Sequence, residues 1–150
     1  MMNAKINLAV MTVVSNILIS TPEIYHSLGG DRADGEADQE YQDNSVLCRN
    51  CGMEVADPGH LRVSPLSPFS LERQNVTMFG SSLSVPVETL RNPAGFEFRV
   101  ISFSAGGCQA VGDWREEASW YPGYLWRVCV CPQCGAHLGW MFEPEDTADR

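Results

Sequence analysis

The sequence predicts a mainly β domain, and three observations carry that reading. Thirteen Gly and nine Pro among 150 residues favour turns and short strands over long helices. Pro65, Pro68, Pro86 and Pro93 punctuate the middle and leave no room for a long helix. Two stretches alternate with the period of a half-buried strand. In one, Phe96, Phe98 and Val100 are separated by Glu97 and Arg99. In the other, Leu138, Trp140 and Phe142 share one face, with His137, Gly139 and Met141 on the opposite face. Pro122-Gly123 lies between two aromatic runs and reads as a turn. Four Trp, six Phe and four Tyr suit a compact core, and the length suits one domain.

The chain divides by composition. Residues 1–20 read as a secretory leader: Lys5 supplies positive charge, Ile6 to Ile19 is mostly apolar, and Pro22 follows. Asn7, Ser15 and Asn16 interrupt that run, and no A-x-A site follows it. Its length is too short for a bilayer-spanning helix, which needs about 20 apolar residues. Residues 21–45 carry seven acids and one arginine and read as an acidic linker with almost nothing to bury. Residues 46–142 hold eight acids and seven arginines, so the expected domain is nearly neutral although the chain carries −9. Residues 143–150 form an acidic tail. An acidic chain with one lysine has no electrostatic footprint for phosphate backbones, which argues against nucleic-acid binding. The expected localisation is secreted, with the cytoplasm as the alternative. Asn75-Val76-Thr77, a glycosylation sequon, adds a little support for export.

Six cysteines in a chain this short imply disulfides or metal. Cys48-Arg49-Asn50-Cys51-Gly52 is echoed by Cys131-Pro132-Gln133-Cys134-Gly135. Two residues between thiolates let both sulfurs turn toward one ion, and the following Gly permits the tight turn. Two such knuckles complete a shell of four thiolates, the closed arrangement of a structural zinc with no position left for water. The predicted ligands are Cys48, Cys51, Cys131 and Cys134, and the cofactor is one zinc ion (Zn2+) that clasps the two ends of the domain. The remaining pair, Cys108 and Cys129, could form a disulfide or stay as buried thiols, and Cys129 is close enough to Cys131 to compete as a ligand.

Ser119-Trp120-Tyr121-Pro122-Gly123-Tyr124-Leu125-Trp126 precedes the second knuckle, and Gly139-Trp140-Met141-Phe142 follows it. Trp120, Trp126 and Trp140 could wall a box for a flat or cationic ligand. On spacing alone, ordinary core packing is the better fit, because aromatic clusters usually pack cores.

The run S-W-Y-P-G-Y-L-W followed by C-P-Q-C-G-A-H-L-G-W-M-F resembles the CULT domain, the thalidomide-binding domain of cereblons. Cys48 to Gly52 matches its first zinc knuckle, and Asn92-Pro93 with Gly95 and Phe96 matches its sensor loop. The resemblance spans about residues 46–142. It implies a β-tent of two antiparallel sheets pinned by zinc on the four cysteines. It also implies a cage of Trp120, Trp126 and Trp140 with Phe142 beneath. Cyclic imides such as glutarimides would enter this cage and bond to backbone at Ala118 and Trp120, with Asn92 closing over the top. Ala118 and Ala94 stand where the family has His, so any side-chain contribution there is lost. Nothing in the chain resembles the long N-terminal and adaptor-binding regions of cereblon, and a stand-alone, secreted CULT protein is the better comparison. The expected partner is a small cyclic ligand, or a protein terminus bearing one, with no enzyme activity.

Two other functions compete with this reading. A methionine sulfoxide reductase B of the related fold would need a nucleophilic Cys on a late strand, and no Cys follows Cys134. A structural secreted domain without a ligand is the other.

Overall fold

The computed structural model describes residues 10–13, 17–19, 45–63, 66–78 and 83–148. Among these the regular structure is strand throughout, apart from one 3-10 turn at Pro58–His60. The described strands follow in order: β1 Val10–Val13, β2 Ile17–Ile19, β3 Val46–Cys48, β4 Glu54–Ala56, β5 Leu61–Arg62, β6 Glu72–Met78, β7 Leu83–Arg91, β8 Glu97–Phe103, β9 Gln109–Arg115, β10 Tyr124–Val130 and β11 His137–Pro144. They form two antiparallel sheets, as the resemblance to the CULT domain implies. The larger has the order β6-β7-β8-β1-β11-β10-β9, with β5 also on β8; the smaller is β2-β3-β4.

β1 and β2 fall within the expected leader. Val10–Val13 pairs with Val100–Phe103 on one side, and Val10, Met11 and Thr12 pair with Met141, Trp140 and Gly139 on the other. Ile17–Ile19 pairs with Val46–Cys48. Short β-branched apolar runs suit a strand as well as a signal core, so the sequence alone does not separate the two. The rest of the leader, residues 21–44 of the linker region and the last two residues of the tail lie outside the described residues.

Pro86 sits inside β7, where a missing N–H would normally disrupt a ladder. The register explains the tolerance. Leu83 to Thr89 pairs with β6, but β7 meets β8 only from Glu88 to Arg91, opposite Val100 to Glu97. Pro86 thus precedes the doubly paired stretch. Where β7 departs, β5 takes its place beside β8, with Leu61 opposite Phe103 and Arg62 opposite Ser102.

The alternation in β11 holds: Leu138, Trp140 and Phe142 are all buried. β8 departs from its expected pattern at one end. Val100 is buried but Phe96 is 66% exposed, because it belongs to the β7–β8 turn and not to the strand.

Two apolar clusters result. One gathers Ile17, Val46, Val55, Val85, Val87, Ile101, Phe103 and Leu138 around Cys48 and Cys131. The other gathers Leu90, Val100, Trp120, Tyr121, Trp140 and Phe142, flanked by Phe98, Tyr124, Trp126 and Val128. β7, β8 and β11 contribute to both.

Candidate functional site

The first cysteine pair closes a tight turn at the end of β3. The Gly52 N–H donates to the Cys48 carbonyl at 2.9 Å, and the Cys48 N–H donates to the Met53 carbonyl at 2.8 Å. After β10 the same pattern recurs, with the Gly135 N–H on the Cys131 carbonyl and the Cys131 N–H on the Ala136 carbonyl, both at 2.8 Å. Gly52 and Gly135 have φ of 77° and 75°, a left-handed backbone that side chains disfavour. The repeated C-x-x-C-G sequence therefore builds a repeated backbone.

The four sulfurs lie within 4.8 Å of one another. Cys48 Sγ is 3.7 Å from Cys134 Sγ, and Cys51 Sγ is 3.6 Å from Cys131 Sγ. A tetrahedral zinc with Zn–S bonds of about 2.3 Å separates its sulfurs by about 3.8 Å, so the set fits such an ion. The thiols sit in unequal surroundings. Hydrogen bonds from the Asn50 side chain and the Ala136 backbone pull Cys134 down to about 6. A backbone bond at Met53 pulls Cys51 down as well, but burial and the neighbouring Cys131, Cys134 and Cys48 together push it up to about 12. A cation at the centre removes that conflict.

Cys108 and Cys129 form a disulfide, with Cα atoms 5.6 Å apart. Of the arrangements open to this pair, the structure has the bonded one. Cys129 is fully buried, and the competition for the metal does not arise.

The aromatic residues meet in the second apolar cluster. The Trp120 and Trp140 rings stand edge to face with centroids 4.8 Å apart. Phe98 packs on both, at 6.3 Å from Trp120 and 5.0 Å from Trp140. Phe142 is buried and lies edge-on to Tyr121 at 5.0 Å. Trp126 comes from β10 and is half-buried. Two indole N–H groups are committed: Trp120 Nε1 donates to the Arg91 carbonyl and Trp126 Nε1 to the Glu117 carbonyl, both at 2.9 Å. These two rings are fixed in orientation and offer their faces.

A cavity of about 420 Å³ opens among these residues, lined by Asn92, Pro93, Arg115, Glu117, Ala118, Trp120, Trp126, Trp140 and Phe142. All six expected cage residues line it. Reasoning from sequence missed Pro93, Arg115 and Glu117. Pro93 could have been inferred from its place beside Asn92; Arg115, whose guanidinium lies 5.6 Å over the Trp126 ring, gave no signal. Asn92 braces the β7–β8 turn, its Oδ1 accepting from the Phe96 N–H at 2.9 Å. Ala118 has a φ of 55°, a left-handed conformation uncommon outside glycine that turns the backbone at the cavity rim. Among the described residues, the Ala118 carbonyl and the Trp120 N–H have no hydrogen-bond partner. The Trp120 carbonyl is occupied, accepting from Ser67 Oγ at 2.6 Å.

His137 is a packed strand residue. Its Nε2 lies 3.0 Å from the Gly139 carbonyl and its ring is edge-on to Trp140. The fourth tryptophan, Trp114, lines a neighbouring, more polar cleft of about 500 Å³ with Asp113, Glu116, Arg127 and Glu117, the last shared with the tryptophan cavity. The Arg127 guanidinium lies 5.2 Å over its ring. Its acidic, open lining is a poor match for a neutral ring, so the smaller apolar cavity is the better ligand candidate.

No family model matches the chain. The cereblons of Xenopus tropicalis and Gallus gallus are each 35% identical to it over 66 residues, which is 43% of this chain and 15% of theirs. Cereblon of Drosophila grimshawi is 28% identical over 106 residues, 70% of this chain and 14% of its own. The matched stretch thus spans about one seventh of the length of these relatives. Among the described residues, no helix is long and apolar enough to cross a membrane. Antiparallel sheets, a four-cysteine cluster that could hold zinc, and these similarities together support a cereblon-like CULT domain in this chain.

Proposed function

We propose that this chain is a zinc-stabilised binding module whose tryptophan cage takes a cyclic imide of the glutarimide type, free or at a protein terminus. The observation that carries the reading is an aromatic cavity lined by Ala118 and Trp120, whose carbonyl and N–H, respectively, have no hydrogen-bond partner among the described residues. An imide carries its N–H between two carbonyls. It can donate to Ala118 while one of its oxygens accepts from Trp120. The tryptophan walls remove the ring from water and lose little entropy in doing so. Zinc acts as a cross-link between the ends of the domain and has no part in ligand chemistry. The enzyme alternative is disfavoured, because the two cysteines outside the quartet are joined to each other and Cys129 is buried.

Titration with unsubstituted glutarimide, followed by tryptophan fluorescence, tests this directly. We expect saturable quenching near micromolar, about −8 kcal/mol. Unchanged fluorescence and melting temperature at millimolar ligand would make the aromatic cluster plain core.

We further propose export to an oxidising compartment. The Cys108–Cys129 disulfide beside a thiolate quartet supports it. Expression in animal cells, with N-terminal sequencing and a test for a glycan on Asn75, checks this. Retention in the cytosol with Met1 intact and Asn75 unmodified would refute it.

A further inference from the structure

Glu88 on β7 is a carboxylate only 3% exposed, and it does not line the cage. Its two oxygens hold separate elements. Oε1 accepts from the Ser67 N–H at 2.9 Å and faces Arg73 Nε at 3.6 Å, and Oε2 accepts from the Tyr121 hydroxyl at 3.1 Å. Ser67 is fully buried and spends its hydroxyl on the Trp120 carbonyl. Arg73 closes the circuit by donating to the Ser67 carbonyl at 2.5 Å. Tyr121 carries the linkage to Phe142, the cage floor, through its ring. Three residues beyond Glu88 on the same strand, the Arg91 carbonyl accepts the Trp120 indole N–H. β7 therefore grips Trp120 at two points, through its backbone by way of Glu88 and Ser67 and through its ring by way of Arg91.

A buried carboxylate is costly even when fully hydrogen-bonded, and an apolar residue of similar size often serves stability as well or better. Its use here calls for a geometric task. We infer that Glu88 and Ser67 are positioning residues for the tryptophan cage: they cap the Trp120 carbonyl and so fix the backbone that carries the Trp120 ring into the cavity wall. The inference rests on the ligand-binding reading for its consequence, but the positioning itself can be read without a ligand.

The test uses the full chain with zinc bound and unsubstituted glutarimide as the probe, with Ser67→Ala, Ser67→Thr and Glu88→Gln. Affinity is measured by fluorescence and the four indole N–H resonances by NMR. Ser67→Ala should weaken binding about fivefold or more, the loss of one hydrogen bond amplified at a rigid rim. It should also move the Trp120 indole resonance, leave that of Trp114 in place and keep one zinc per chain. Ser67→Thr, which retains the hydroxyl, should restore both, and Glu88→Gln should shift both in the same direction by less. A lower melting temperature with unchanged affinity and an unmoved Trp120 resonance would show a merely structural network and overturn the inference. Should the unsubstituted chain fail to bind glutarimide, the ligand reading falls; the Trp120 resonance in Ser67→Ala then decides positioning alone, a shift supporting it and none refuting it.

Discussion

The clasp and the cage are built by the same sheets yet draw stability from different sources. The clasp is four thiols on two tight turns, and its geometry is complete only when an ion joins turns that lie about 80 residues apart. The cage is an aromatic cluster whose members already pack on one another, with Trp120 and Trp140 8% and 9% exposed. The first is a set of thiols that could hold an ion from solution; the second is already packed ring on ring. A domain organised in this way should survive the loss of its ligand but not the loss of its metal.

The sharpest way to break that comparison is to remove the ion. Metal binding to structural thiolate sites contributes about 10–16 kcal/mol in small zinc peptides, more than most domains have in reserve. Chelation, or Cys48→Ser, is therefore expected to abolish cooperative thermal unfolding, followed by circular dichroism alongside elemental analysis. A chain that melts cooperatively with no metal would show that the sheets hold without the clasp.

Two tryptophan variants separate packing from binding. Trp140→Ala should cost about 3–5 kcal/mol of stability, because the ring is buried against Trp120, Phe98 and His137. Trp126→Ala removes a half-buried wall, so denaturant titration should show a much smaller loss of stability. Ligand affinity should still fall by about 2 kcal/mol or more. Zinc content should be unchanged in Trp126→Ala. Equal stability losses in the two variants would mean that Trp126 belongs to the core.

The disulfide should matter less than the metal. It closes a segment with a sequence separation of 21, for which chain entropy gives about 3 kcal/mol. The double variant Cys108→Ala, Cys129→Ala, compared with the parent chain at equal zinc, should lower the melting temperature and leave the metal bound. Loss of zinc in that variant would tie the two cysteine systems together.

The smallest expected effect is a pH dependence centred on Tyr121. Burial, followed by the nearby Glu88 carboxylate, holds its hydroxyl well above the ordinary value of 10. A folded-state value raised in this way stabilises the fold fully below the unfolded value. That stability is lost as pH rises above it, by up to about 1.4 kcal/mol per unit. Stability measured from about pH 9 to 12 should therefore fall more steeply in the parent than in Tyr121→Phe. Parallel curves would place the alkaline sensitivity elsewhere.

How far each region could be read from sequence follows from its chemistry. The clasp was legible because metal ligation imposes local spacing: two residues between cysteines and a glycine after them fix a turn before any tertiary contact forms. The cage residues were legible only through resemblance, since tryptophans at such spacings suit a core equally well, and Trp140 and Phe142 do pack as core. Arg115 and Glu117 carried no local mark, and their place at the rim depends on how β9 leads into the strained turn at Ala118.

By itself, then, the sequence determined the strand-rich class, the four thiol ligands and the turns at Gly52, Gly123 and Gly135, because each follows from short-range patterns of polarity and backbone freedom. Only the tertiary structure decided that Cys108 joins Cys129, that Phe96 faces solvent and that Ser67 caps the Trp120 carbonyl. It alone also placed a buried Glu88 between Ser67 and Tyr121. Those outcomes turn on which distant segments share a buried space. A carboxylate finds its donors there only after the chain has folded, so no local pattern records them.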